Sequence, residues 1–170
     1  MITLRIASYN DLAILQFWDQ QPHVIASDPN DDWLWEVDLG VHYDWRRQFI
    51  AERNGLPIGY VEIIDPHFEK EQYWGTIGLG FRAIDIWIGE ENNLNQGFGT
   101  EIMKQAIQLC FADQSVHTVL IDPLSANTKA HRFYQRFGFK PIDQRHFGAC
   151  ECLVHELLRN DWEVWCKRNT

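Results

Sequence analysis

The chain has 170 residues, of which 45% are hydrophobic and 14% aromatic, so it can fill one core but is short for two ordinary domains. A single domain over residues 1–170 is therefore expected. The net charge of −9 argues against a nucleic-acid partner and is compatible with a cationic small molecule, or with solubility alone. No apolar run reaches the roughly 18–20 residues of a membrane span, and the first residues lack a secretory pattern, which predicts a cytoplasmic protein without a membrane partner.

The beginning of the chain predicts a strand followed by a helix. Residues 2–7 alternate apolar and polar side chains, so Ile2, Leu4 and Ile6 are expected to point inward. Residues 8–11 then offer capping groups for the helix. The loop-rich stretch that follows is left without a structural prediction.

An Asn-Gly pair at 54–55 predicts a β-hairpin, because it separates two strand-like runs at 47–53 and 58–64. Residues 65–80 have no clear periodicity and several glycines, so they predict a long connection with Tyr73 and Trp74 exposed. The strand predicted at 81–88 has two distinct faces. These are Ile84, Ile86 and Ile88 on one face, and Asp85 and Trp87 on the other.

The second half predicts a turn at 94–99, a helix, a strand at 116–121 and a further helix that Ser125 can cap and Gly138 ends. The first of these helices has apolar residues at helical spacing, namely Ile102, Met103, Ala106, Ile107 and Cys110. Two closing strands are predicted at 140–145 and 149–157. Alternating strands and helices with a hairpin at each end indicate a mixed α/β (α+β) sheet flanked by helices.

The glycine turn is a candidate anion site. Gly97 and Gly99 allow backbone N–H groups to converge at a helix N-terminus, which suits a diphosphate. The turn matches neither a P-loop nor the full dinucleotide fingerprint. Four basic residues recur at spacings of three, four and four, so that the helical ones share a face, and this face either binds an anion or is simply solvated. They are Lys129, Arg132, Arg136 and Lys140.

Metal binding is not expected. The four cysteines and seven histidines show no ligand spacing, and reduced, buried thiols are the simpler interpretation.

With the second helix included, the sequence resembles the GNAT-type acetyltransferase superfamily. The resemblance rests on the turn at 94–99 and on Asn127, Ala130, Tyr134, Gly138 and Phe139, and it covers roughly residues 2–157. It implies a twisted mixed sheet of about seven strands, in which two central strands splay apart to admit acetyl-CoA. Leu94 departs from the Arg or Gln with which the superfamily usually starts the turn.

Within the superfamily, the chain most closely resembles bacterial aminoglycoside 6'-N-acetyltransferases. The matching segments are 81–85, 94–100, Asp122-Pro123 and 127–139. The resemblance implies that Asp85 is a general base or amine anchor, that Asp122 binds substrate, and that acetylation confers antibiotic resistance. Acetylation of another amine (a siderophore precursor, a polyamine or a protein N-terminus) and a non-catalytic acyl-CoA-binding module remain alternatives.

The expected roles follow from the resemblance together with elementary chemistry. A carboxylate can take the proton of an amine, and a hydroxyl can donate to the departing thiolate, so Asp85 and Tyr134 are the candidate catalytic residues. The expected acetyl-CoA contacts are Ile86, Trp87, Ile88, Asn95, Gln96, Gly97, Phe98, Gly99, Thr100, Asn127, Ala130 and Tyr134. The expected acceptor contacts are Asp85, Asp122, Tyr73, Trp74, Trp33 and Trp35, with additional carboxylates at Asp28, Asp31, Asp32, Glu36 and Asp38. A monomer or a homodimer is expected.

Each role has a structural alternative. Asp85 could pair with Arg82, Asp122 could cap the helix near Ser125, and Tyr134 could be a core residue. The tryptophans could equally fill a core.

Overall fold

A computed structural model describes residues 1–29 and 33–169 as a seven-stranded sheet with six α-helices against it. The strands are β1 (Ile2–Ile6), β2 (Arg46–Arg53), β3 (Leu56–Ile64), β4 (Phe81–Ile88), β5 (Thr118–Ile121), β6 (Lys140–Phe147) and β7 (Cys150–Leu158). The helices are α1 (Leu12–Asp19), α2 (Pro22–Ser27), α3 (Trp35–Asp38), α4 (Phe98–Phe111), α5 (Thr128–Gln135) and α6 (Arg159–Asn169). No helix of these residues is long and apolar enough to cross a membrane.

The sheet is mixed, as the sequence predicts. Its strand order is β1-β2-β3-β4-β5-β7-β6, and every neighbouring pair is antiparallel except β4 and β5. The parallel pairing of β4 with β5 joins only three residue pairs, the last being Ala83 with Leu120. From Ile84 to Ile88 the edge of β4 that faces β5 therefore has no paired strand in the described chain. This opening between the central strands is the splay that the resemblance implies.

The hairpin between β2 and β3 is confirmed. Asn54 and Gly55 have φ values of 53° and 80°, as the two central residues of a tight hairpin turn require. The register then pairs Gln48 with Glu62. The separate register between β3 and β4 pairs Glu62 with Asp85.

The two faces of β4 serve different parts of the protein, as its pattern predicts. Ile84, Ile86 and Ile88 belong to the main core beneath α4, where the predicted apolar residues of that helix are all buried. On the opposite face, Trp87 packs in a cluster with α1, and Ala83 packs in a second cluster that includes the 65–80 connection. Asp85 lies on the face with these two clusters, between them along the strand.

Three local predictions are wrong. Ile6 is 60% exposed because it lies at the end of an edge strand, beyond the cover of α4. Trp74 is only 5% exposed because it packs on Ala83, Leu120 and Val154, so the connection contributes to the core rather than merely covering it. Ser125 does not cap α5. Asn127 does, by accepting a hydrogen bond from the Ala130 amide at 3.1 Å.

Removing that cap should destabilise the protein measurably. Asn127→Ala leaves the Ala130 amide without its acceptor, so we expect the free energy of unfolding to fall by about 1 kcal/mol. Urea denaturation measures this value. Ser125→Ala is the matched control, because the Ser125 hydroxyl has no partner in the described chain and its loss should change little. Equal effects of the two substitutions would contradict this assignment of the cap.

Candidate active site

The predicted anion turn has the backbone shape that the glycine requires. Gly97 has a φ of 81° and is the N-cap of α4, and Asn95 is also left-handed, with a φ of 59°. The amides of Phe98 and Gly99 begin the helix and have no acceptor within the described chain. These two N–H groups and the positive end of the helix dipole favour the binding of an anion at the turn. A β-carbon at Gly97 would meet no atom within 4 Å, so its conformation rather than space demands glycine.

The open edge of β4 supplies the backbone groups next to this turn. The side chains of Ile86 and Ile88 pack in the main core, and the Trp87 indole packs on Tyr60 with ring centroids 4.5 Å apart. The three side chains are thus engaged, and their backbone groups are what a ligand in the opening can reach. Ile86, Trp87 and Ile88 therefore border the opening with their main-chain groups rather than with their side chains.

Tyr134 lies on α5 and packs against the main core. Its ring packs against Phe133 and Phe139. Burial, with smaller effects from Asp85 and Asp122, raises the pKa of the Tyr134 phenol above its usual value. Tyr134 is therefore protonated at neutral pH and able to donate, and it lies close enough to both aspartates to sense their charge.

Asp85 is a carboxyl with an unusual proton affinity. Burial, followed by the charges of Asp28 and Glu69, raises its pKa to about 7, while Arg46 acts in the opposite direction. A group with such a pKa exchanges protons readily at neutral pH. The alternative pairing with Arg82 is not formed, because that guanidinium binds the two other carboxylates Asp65 and Asp113.

Asp122 follows β5 and accepts a hydrogen bond from the Tyr73 hydroxyl. Burial and then the nearby charge of Asp85 raise the Asp122 pKa well above its ordinary value. Asp122 does not cap α5, whose cap is Asn127. The structure thus brings Asp85, Asp122, Tyr73 and Tyr134 to one place.

The aromatic residues that were predicted to contact the acceptor are only partly exposed. Trp33 stacks on Trp35 with ring centroids 4.7 Å apart, and Trp35 is buried in the cluster with α1. Trp35 and Trp74 are therefore core residues, because each closes a cluster over the sheet. Trp33 is partly exposed and Tyr73 is half-exposed, so these two can meet a ligand. Of the acidic residues predicted here, Asp31 and Asp32 lie outside the described residues.

Three of the four basic residues lie on α5 or at its end, and Lys140 begins a strand as the sequence predicts. Lys129 and Arg132 are exposed on α5, and Arg136 lies over the Phe133 ring at 5.2 Å. Lys140, on β6, pairs with Asp161. Within residues 1–29 and 33–169, no group of three or more His, Cys, Asp or Glu side chains could hold a metal ion.

Two charged residues beside Asp85 were missed by the sequence analysis. Glu62 lies directly opposite Asp85 in the β3–β4 register, and its carboxylate pairs with Arg46. The alternating pattern of β3 carried a signal, since a glutamate shares a face with Tyr60 inside a strand that is otherwise apolar. Locating it beside Asp85 requires the register between two strands.

Comparison with known proteins places this geometry in a family. The sequence model described as "Acetyltransferase (GNAT) domain" matches residues 8–147. Aminoglycoside N(6')-acetyltransferase type 1 of Klebsiella pneumoniae is 27% identical over 151 residues, covering 82% of this chain and 74% of the relative. Lysine N-acyltransferase MbtK of Mycobacterium tuberculosis is 26% identical over 157 residues, covering 81% of this chain and 68% of the relative.

A solved structure supports the same assignment. The crystal structure of aminoglycoside acetyltransferase AAC(6')-Ib in complex with coenzyme A superposes with a TM-score of 0.86 at 25% sequence identity, covering 96% of this chain and 98% of that one. The seven-stranded fold that the resemblance implies is thereby confirmed. Because the family model spans well over half of the sequence, the chain belongs to the GNAT acetyltransferase family.

Proposed function

We propose that this protein transfers the acetyl group of acetyl-CoA to the 6'-amine of an aminoglycoside. The observation that carries the proposal is the position of Asp85, a carboxyl with a pKa of about 7, on the open edge of β4 with Asp122 and Tyr134 close by. The match to an aminoglycoside N(6')-acetyltransferase along 82% of the chain supports this acceptor.

The open edge of β4 and the N-terminus of α4 define the orientation that we propose for acetyl-CoA. Its diphosphate would accept hydrogen bonds from the amides of Phe98 and Gly99, and its pantetheine arm would run along the backbone from Ile86 to Ile88. The exposed Lys129 and Arg132 would meet the 3'-phosphate end of the cofactor. This orientation leaves the thioester beside Asp85 and Tyr134.

Direct transfer in a ternary complex requires two protons to leave the acceptor nitrogen and one proton to reach the sulfur. The ammonium group of the acceptor loses a proton to the Asp85 carboxylate, and the free amine attacks the thioester carbon. Backbone N–H groups after Asp85 would stabilise the oxygen that gains charge in the tetrahedral state. As the carbon–sulfur bond breaks, the Tyr134 hydroxyl donates its proton to the CoA thiolate. The nitrogen then loses its second proton, which restores the neutral Tyr134 hydroxyl and leaves the amide product, while Asp85 releases the first proton to solvent.

The acceptor's other ammonium groups need acidic partners. Asp122, held by Tyr73, and the partly exposed Trp33 line the same side of β4 as Asp85, and they are proposed to bind the amino sugar. Acetylation removes a positive charge from the drug and weakens its binding to ribosomal RNA, so antibiotic resistance is the proposed consequence.

Asp122→Asn should affect acceptor binding more than chemistry. Loss of a carboxylate that faces the ammonium groups should raise the acceptor KM by about tenfold, with kcat changed less, as measured by steady-state kinetics at saturating acetyl-CoA. Tyr73→Phe is the companion variant, because it removes only the hydrogen bond to Asp122 and should raise KM by a smaller factor. An unchanged KM in Asp122→Asn would remove this residue from the acceptor site.

The proposed function is tested by thiol release from acetyl-CoA with a panel of amines. Kanamycin, tobramycin and ribostamycin represent the proposed class, while spermidine, free lysine and a peptide with a free N-terminus represent the alternatives. We expect rapid release with the aminoglycosides alone. Release only with another amine would reassign the substrate, and cofactor binding without release for any amine would indicate a non-catalytic acyl-CoA-binding module.

A further inference from the structure

A buried network of charges lies on the same face of the sheet as Asp85. The Arg46 side chain, on β2, is only 13% exposed. Its Nη1 donates to Asp38 Oδ1 at 2.8 Å, and its Nε donates to the Glu62 carboxylate, which is 2% exposed. The guanidinium also lies 5.9 Å from the centre of the Trp33 ring. Two carboxylates and an aromatic ring therefore fix this cation in place.

The strand register brings this cation close to Asp85. Glu62 is directly opposite Asp85 across β3 and β4, where side chains on one face stand about 5 Å apart at their β-carbons. Gln48 of β2 is opposite Glu62, and Arg46 lies two residues away on the same face. Arg46 thus reaches diagonally over β3 toward the carboxyl of β4.

Almost all other charges around Asp85 are acidic. The titratable groups that face this region from the neighbouring elements are Glu62 and Tyr60 of β3, Arg46 of β2, Asp38 of α3, Asp28 after α2, Glu69 and Tyr73 of the connection, Asp122 after β5, and Tyr134 of α5. Of the described groups that shift the Asp85 pKa, Asp28 and Glu69 raise it and only Arg46 lowers it. Burial raises the Glu62 pKa and the charge of Arg46 lowers it, so the two partners of this ion pair favour each other's charged forms.

We propose that Arg46 is a positioning residue for Asp85: its guanidinium, held by Glu62 and Asp38, favours the ionised form of the Asp85 carboxyl, which is the form able to take the proton of the acceptor amine. This inference rests on the proposed function. Without the cation, the surrounding acids favour a protonated Asp85, whose two oxygens cannot accept that proton until the first one has left.

The test compares two double variants that differ only in which arginine is lost. Arg46→Met alone would leave Glu62 buried without its partner and could prevent folding, so Glu62→Gln accompanies it. The matched control is Arg47→Met with Glu62→Gln. Arg47 is the next residue of β2, lies on the opposite face over Phe49, and contributes the same charge.

Two readouts are measured for each double variant. One is the pH dependence of kcat/KM for the best acceptor. The other is the titration of the Asp85 carboxyl carbon by ¹³C NMR in the cofactor-free protein, assigned with Asp85→Asn.

Loss of Arg46 should move the acidic limb of the profile and the NMR titration upward by about one pH unit relative to the control. Coincident limbs and coincident titrations in the two double variants would overturn the proposal. If the wild-type protein acetylates no amine, the proposed function fails, and the NMR comparison alone still decides whether Arg46 acts on Asp85.

Discussion

Asp85→Asn should lower kcat/KM for the acceptor amine by about 10²-fold or more, because an amide cannot take the proton that the attacking nitrogen must lose. Steady-state thiol release measures this loss. The wild-type profile should rise through the Asp85 pKa of about 7 to a plateau, and this acidic limb should disappear in the variant. Asp113→Asn is the control, since that carboxylate is exposed and bound to Arg82 away from the opening, and it should retain the limb.

Asp85→Asn should lower activity without lowering the stability of the folded protein. Because burial raises the folded-state pKa of Asp85 above its ordinary value near 4, the contribution of this group to stability falls as the pH rises from about 4 to 7 and stays low above 7. Asn carries no charge, so the melting temperature of the variant at pH 8 should equal or exceed that of the wild type. A variant with near-normal activity would show that Asp85 belongs to the scaffold.

Tyr134→Phe should give the second large effect. Removing the hydroxyl leaves the thiolate without its proton donor, so the single-turnover rate of acetyl transfer should fall by about 10²-fold. The ring remains packed on Phe133 and Phe139, and the affinity for CoA should therefore stay within about twofold of the wild-type value. Calorimetric titration with CoA and rapid-quench kinetics separate the two quantities.

A second tyrosine provides the control for this interpretation. Tyr73→Phe removes a hydroxyl that bonds Asp122, so it should act on acceptor KM and spare the single-turnover rate at saturating substrate. An unchanged single-turnover rate in Tyr134→Phe would exclude this hydroxyl as the proton donor.

Local signals explain why much of the fold could be predicted from the sequence. The hairpin follows from Asn54 and Gly55, whose positive φ values are intrinsic to that dipeptide. The two faces of β4 follow from strict alternation, and α4 follows from apolar residues at helical spacing. Even α6 had a readable pattern, because Trp162, Trp165 and Cys166 lie at helical spacing against the core, although it was not predicted.

The composition of the acceptor side could not be predicted, because it depends on long-range packing. Tryptophan is found both in sugar-binding sites and in cores, and only the packing of Trp35 and Trp74 against distant residues shows that they belong to the core. The proximity of Glu62 and Arg46 to Asp85 depends on the registers of three strands. The resemblance identified Asp85, Asp122 and Tyr134, but it carried no information on the cation near Asp85.

The most direct test of the proposed function uses two aminoglycosides that differ at one position. Neomycin carries an amine at the 6' position, whereas paromomycin carries a hydroxyl there. We expect rapid thiol release from acetyl-CoA with neomycin, a product with a single acetyl group on the 6' nitrogen by NMR, and no acetylated paromomycin. Equal acetylation of both compounds, or an acetyl group on any other nitrogen of neomycin, would contradict the proposed specificity.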